Sequence, residues 1–68
     1  MSAISKVKQT LSTLKGAEAT LRMYYVQEQN KEAKFIYSKS LEEINKINME
    51  LDKRIKTMEF EEPQYKGN

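Results

Sequence analysis

Gln27-Glu28-Gln29-Asn30-Lys31-Glu32 decides the fold of this 68-residue chain. The stretch is wholly polar and interrupts a helical pattern that is otherwise continuous. Upstream, apolar positions recur at Ile4, Val7, Leu11, Leu14, Leu21 and Tyr25. Downstream they recur at Tyr37, Leu41, Ile44, Leu51, Ile55 and Met58, with Ile36 and Ile47 widening the stripe. Steps of three, four and seven keep to the 3.6-residue period of an amphipathic helix. Asn30 suits an N-cap, because its side chain can accept from the unpaired N–H groups of a first turn. Glu32 then sits where the helix dipole favours an acid. The spacing predicts one all-α domain: helix 1 over about 4–28, a turn at about 29–30, helix 2 over about 31–61, and a tail over 62–68. At 1.5 Å per residue the rods are about 37 and 46 Å long. Ser40-Leu41-Glu42-Glu43 has the form of a capping box and offers a competing start at residue 41. It would strand Phe35, Ile36 and Tyr37 in a loop, and the apolar stripe runs through it unbroken.

Charge sets the direction of the second helix. Residues 1–16 carry Lys6, Lys8 and Lys15 and no acid, whereas residues 59–68 carry Glu59, Glu61 and Glu62 against Lys66. Each cluster opposes its own helix dipole. Folding back at Asn30 sets the basic start beside the acidic end, giving an antiparallel hairpin. Two helices cannot cover apolar faces this wide, whereas two hairpins can, as a four-helix bundle. A homodimer is therefore expected. Val7, Leu11, Leu14, Leu21, Tyr25, Tyr37, Leu41, Ile44, Leu51 and Ile55 are its predicted core and oligomer interface.

Composition removes most chemistries. The chain has no cysteine and no histidine. Disulfides and thiolate sites are excluded, and with them the commonest metal ligand and general base. Phosphate loops, nucleophile triads and paired catalytic carboxylates are missing from the sequence. No enzyme activity, cofactor, metal or small-molecule ligand is expected. No apolar run approaches the roughly 20 residues of a membrane span, and the start lacks the apolar segment of a signal peptide. A soluble, cytoplasmic protein is expected. A net charge of +2 is too small to argue for nucleic acid by itself.

Four features fall outside the simple pattern. Glu18 lies on the apolar stripe between Leu14 and Leu21. It reads either as a ligand carboxylate of the kind found in di-iron bundles, which also need histidines, or as a stripe-edge residue that snorkels or pairs with a lysine or tyrosine. Asn48 interrupts the second stripe. Either it points inward and fixes register, or helix 2 rotates and Ile47 takes its place. Gly16 costs about 1 kcal/mol relative to alanine in a helix. Close helix approach along the small-residue stripe Thr10, Thr13, Ala17, Thr20 would explain it, as would a kink. Aromatic and apolar residues also crowd the turn, from Met23 to Val26 and from Phe35 to Tyr37.

The chain resembles the domain of unknown function 1657 family, short helical proteins of spore-forming bacteria. Residues 7–16, V-K-Q-T-L-S-T-L-K-G, are similar to that family's opening motif. Glu32-Ala33-Lys34 resembles the start of its second half, and residues 61–67, E-E-P-Q-Y-K-G, resemble its ending. The family has no assigned activity and defines no catalytic residues. Its members are encoded near the stage-five spore inner-membrane channel proteins. The resemblance implies a sporulation role, as an interaction module with a spore membrane-protein partner, peripheral at the spore inner membrane. Surfaces left over by the bundle would serve that partner: Tyr24 and Phe35 at the turn, and Tyr65 in the tail. Tyr65 could equally fold back over the open end near Ile4 and Val7. The alternative function is a small nucleic-acid or surface binder using Lys6, Lys8 and Lys15.

Overall fold

The structure, a computed structural model, describes residues 2–61. Two helices account for nearly all of them: α1, Ala3–Gln27, and α2, Lys31–Glu61. Pro63 and Tyr65, with the docking and plug readings of the tail, lie outside the described residues.

The two ends of α1 and the start of α2 each have a local cause. α1 starts one residue earlier than the periodicity suggests, because Ser2 caps it: its Oγ accepts from the Ser5 N–H at 3.3 Å. α1 stops at Gln27, where Glu28 turns to an extended conformation while its N–H still donates to the Tyr24 carbonyl at 3.0 Å. The Glu28 carboxylate then accepts from the Asn30 N–H at 3.1 Å. Asn30 caps α2 as its residue type suggests: Oδ1 accepts from the Ala33 N–H at 2.9 Å, and its carbonyl accepts from the Lys34 N–H at 2.9 Å. These bonds satisfy donors that a helix start leaves unpaired. Ser40 lies inside α2, so no helix begins at residue 41.

The helices pack antiparallel as a hairpin of 49 × 17 × 13 Å. Lys8 at the start of α1 meets Glu59 at the end of α2 with 2.9 Å between Nζ and Oε2, the pairing that the charge distribution calls for. Beside it lies the hydrophobic core. Ile4, Leu11 and Ile55 are buried, and Val7, Leu51 and Met58 pack against them. Along the rest of the hairpin, Leu14, Leu21, Tyr25, Tyr37, Leu41 and Ile44 face the partner helix but stay half-buried. A two-helix layer can do no more, since each rod covers one side of the other and leaves both flanks open.

The small-residue stripe of α1 does not mediate close approach within the hairpin. Thr10, Thr13, Ala17 and Thr20 are exposed. The three threonine hydroxyls turn back onto the carbonyls of Lys6, Gln9 and Gly16 at 2.9–3.1 Å. A Cβ built on Gly16 would meet nothing within 4 Å. Neither of the two explanations for Gly16 holds inside the hairpin, because α1 also runs through it as one continuous helix.

Candidate interaction face

A polar layer crosses the middle of the hairpin. Glu18 on α1 receives three side chains. Asn48 Nδ2 donates to its Oε1 at 2.9 Å, Asn45 Nδ2 donates to Oε2 at 3.3 Å, and the Arg22 guanidinium lies 3.2 Å from Oε2. The Arg22 contact joins positions four apart on one helix face, a spacing already visible in the sequence. The asparagines come from α2, and their pairing with Glu18 is set by helix register alone. The expectation of a lysine or tyrosine partner for Glu18 is thus replaced by two amides and a guanidinium.

Asn48 points inward and is only 4% exposed, while Ile47 is 49% exposed. The alternative in which α2 rotates to bury Ile47 is ruled out. The carboxylate dictates how the Asn48 amide sits. An oxygen facing Glu18 would repel it, so Nδ2 takes that side and Oδ1 is left buried without a hydrogen-bond partner. Such an orphan acceptor is costly, and the layer contributes register more than stability. Sliding α2 by a turn would leave Glu18 at most one of its two interhelical donors, since Asn45 and Asn48 are themselves about one turn apart. The Asn48 hydrogen bond, followed by that of Asn45, holds the Glu18 carboxyl below the usual carboxylate range. Among the described residues no group of three metal-ligating side chains converges. Glu18 is surrounded by donors, which suits an anion held in place.

Above this layer the hairpin has an open apolar face. A groove of about 450 Å³ runs between the helices, floored by Leu14 on α1 and Ile44 on α2. Phe35, Ile36, Ser40 and Ile47 form its α2 wall, with Lys39 and Glu43 on the rim. Ile36 is 63% exposed and Phe35 61% exposed. A smaller apolar patch on α1, with Ala19, Met23 and Val26, lies on the opposite flank by helical phase.

The turn end is held by aromatic contacts. Tyr24 and Tyr37 approach to 6.0 Å between ring centroids at 44°. The Lys34 ammonium stands 4.7 Å from the Tyr25 centroid, and that of Lys39 stands 5.4 Å from the Phe35 centroid. Of the turn residues set aside for a partner, Tyr24 is engaged in this cluster and still 46% exposed, and Phe35 is open to solvent. Lys6 and Lys15 are exposed, whereas Lys8 is committed to Glu59. Of the predicted interface residues, Val7, Leu11, Leu51 and Ile55 lie at the buried end, Leu14 and Ile44 floor the groove, and Leu21, Tyr25, Tyr37 and Leu41 are half-buried along the turn end. The groove wall, Ile36 with Ile47, entered the sequence reading only as a widening of the stripe, because a flank is distinguished from a core position by where the second helix sits.

These features define a small helical hairpin with one sealed end and one open apolar face. The chain belongs to the family described as Protein of unknown function (DUF1657), whose model matches residues 7–55. The match opens at Val7, where the V-K-Q-T-L-S-T-L-K-G motif begins, and closes at Ile55, ahead of the 61–67 stretch. No curated protein and no solved structure matches the chain. Among the described residues, no helix is long and apolar enough to cross a membrane.

Proposed function

We infer that this protein is a non-enzymatic helical interaction module that acts by protein–protein contact, with a second copy of itself completing a four-helix bundle. The observation that carries this reading is the open groove. Ile36, Phe35 and Ile47 expose large apolar side chains together, along a face with both helices beneath it. Contiguous apolar patches of this kind mark association surfaces. The small core supports the same conclusion, since a chain this short without disulfide or metal commonly draws stability from oligomerisation. The family resemblance implies a role in spore-forming bacteria with a partner at the spore inner membrane. The bundle would then dock that partner through surfaces it leaves free, among them Tyr24 at the turn.

Light scattering at micromolar concentration tests the assembly, with twice the 8.0 kDa chain mass as the expected value. A pull-down from sporulating cells tests the partner. The nucleic-acid reading loses ground because Lys8, the middle of its three lysines, is engaged with Glu59. Salt-sensitive DNA binding that disappears on replacing Lys6 and Lys15 would restore it.

A further inference from the structure

We propose that the second copy lies across the groove with the two α2 helices antiparallel, related by a two-fold axis near the Leu41–Glu42 bond. This rests on the reading of the hairpin as a self-associating module, and adds its geometry and its contacts. In a two-fold interface, residue i of one copy meets residue j of the other, and j meets i. The groove wall satisfies that condition along α2. Ile36 and Ile47 lie equally far on either side of the Leu41–Glu42 bond, and both are exposed. Lys39 and Glu43 lie on opposite sides of it, at nearly equal distance, and both line the groove.

An antiparallel α2 pair therefore sets Ile36 against the second copy's Ile47 twice. It also sets Lys39 against the second copy's Glu43 twice, with the small Ser40 near the axis. A parallel pair would instead oppose Lys39 to Lys39 and Glu43 to Glu43. Within one hairpin, the Lys39 ammonium stands 5.4 Å from the Phe35 ring centroid, and its contact with Glu42 is a long 3.8 Å with both side chains more than half exposed. It is available to a better-placed acid. About this axis the two α2 helices overlap over residues 31–52, about 33 Å of the hairpin's 49 Å length.

Three measurements on the full chain test this. Lys39→Glu and Glu43→Lys each place like charges across the axis, and each should weaken self-association about tenfold in sedimentation equilibrium. Mixed together, the two variants regain opposite charges at every cross-axis position and should form a heterodimer as tight as the parent dimer. Cysteine pairing reads the orientation directly. Ile36→Cys mixed with Ile47→Cys should give the mixed disulfide far in excess of either self-disulfide. Two copies of residue 36 would stand about 16 Å apart along the axis, beyond the reach of a disulfide. Both isoleucines are exposed, so neither change empties the core, and helical circular dichroism confirms that each variant is folded. Self-disulfides as abundant as the mixed one, or single charge variants that associate like the parent, overturn the antiparallel geometry while leaving a dimer. A folded parent chain that stays monomeric up to hundreds of micromolar overturns the second copy itself, and a partner recovered from sporulating cells would still support the wider interaction role.

Discussion

The two ends of this hairpin are built from similar residues and reach different states. At the end away from the turn, Ile4, Leu11 and Ile55 are sealed, with Val7, Leu51 and Met58 packed against them and Lys8–Glu59 across the join. At the turn end, Leu21, Tyr25, Tyr37 and Leu41 are half-buried, and Phe35, Ile36, Met23 and Val26 stand in solvent. Hydrophobicity does not separate them, since the turn end is the more apolar. What differs is phase. At the sealed end the apolar residues, apart from Phe60, which is 86% exposed, fall within the narrow arc that a single partner helix covers. At the turn end they spread around the helix, and one neighbour cannot reach them all. The Glu18–Asn48 layer marks the border between the two regimes.

Truncating the sealed core is the severest test. Ile55→Ala should cost about 2–5 kcal/mol in urea unfolding, comparable with the whole stability of a domain this size. Leu21→Ala at the open end should cost less than half as much if the hairpin alone carries it. Equal costs would show that the turn end is covered in solution by another chain, and would collapse the contrast.

The border layer gives a pH signature of intermediate size. Glu18 is held below its usual range by Asn48 and Asn45, so the folded state releases its proton more readily than the unfolded state. That stabilisation is complete above the unfolded carboxylate pKa and is lost as pH falls through the folded one. Tm should therefore drop on acidification through the carboxylate range, and Glu18→Gln should flatten that part of the profile. An unchanged slope in the variant would mean that the layer is not formed in solution.

Removing the α2 cap tests how far the turn end depends on local bonds. Asn30→Ala should destabilise by about 1 kcal/mol, seen as a lower Tm and as faster amide exchange in the first turn of α2. The smallest effect belongs to the ion pair. A double-mutant cycle on Lys8 and Glu59 should return a coupling of about 0–1 kcal/mol that shrinks with salt, because both side chains stay partly hydrated. A larger coupling would mean that the sealed end owes its closure to charge as much as to packing.

The sequence determined by itself that this chain is helical, where it turns, and which way α2 runs back. Those properties follow from local spacing and from the capping chemistry of Asn30, which act without the other helix, and from unlike charges at the two ends, whose pairing needs only that the chain folds back. It also marked Glu18 and Asn48 as out of pattern, and could not join them, since their contact spans thirty positions and depends on register. Tertiary structure decided that Asn48 rather than Ile47 faces inward, and that two asparagines hold Glu18. It also decided that Ile36 and Ile47 wall an open groove instead of filling a core. The physical reason is angular: a rotation of α2 by less than one residue's 100° exchanges a core position for a flank, and only the packing of one rod on the other sets that angle.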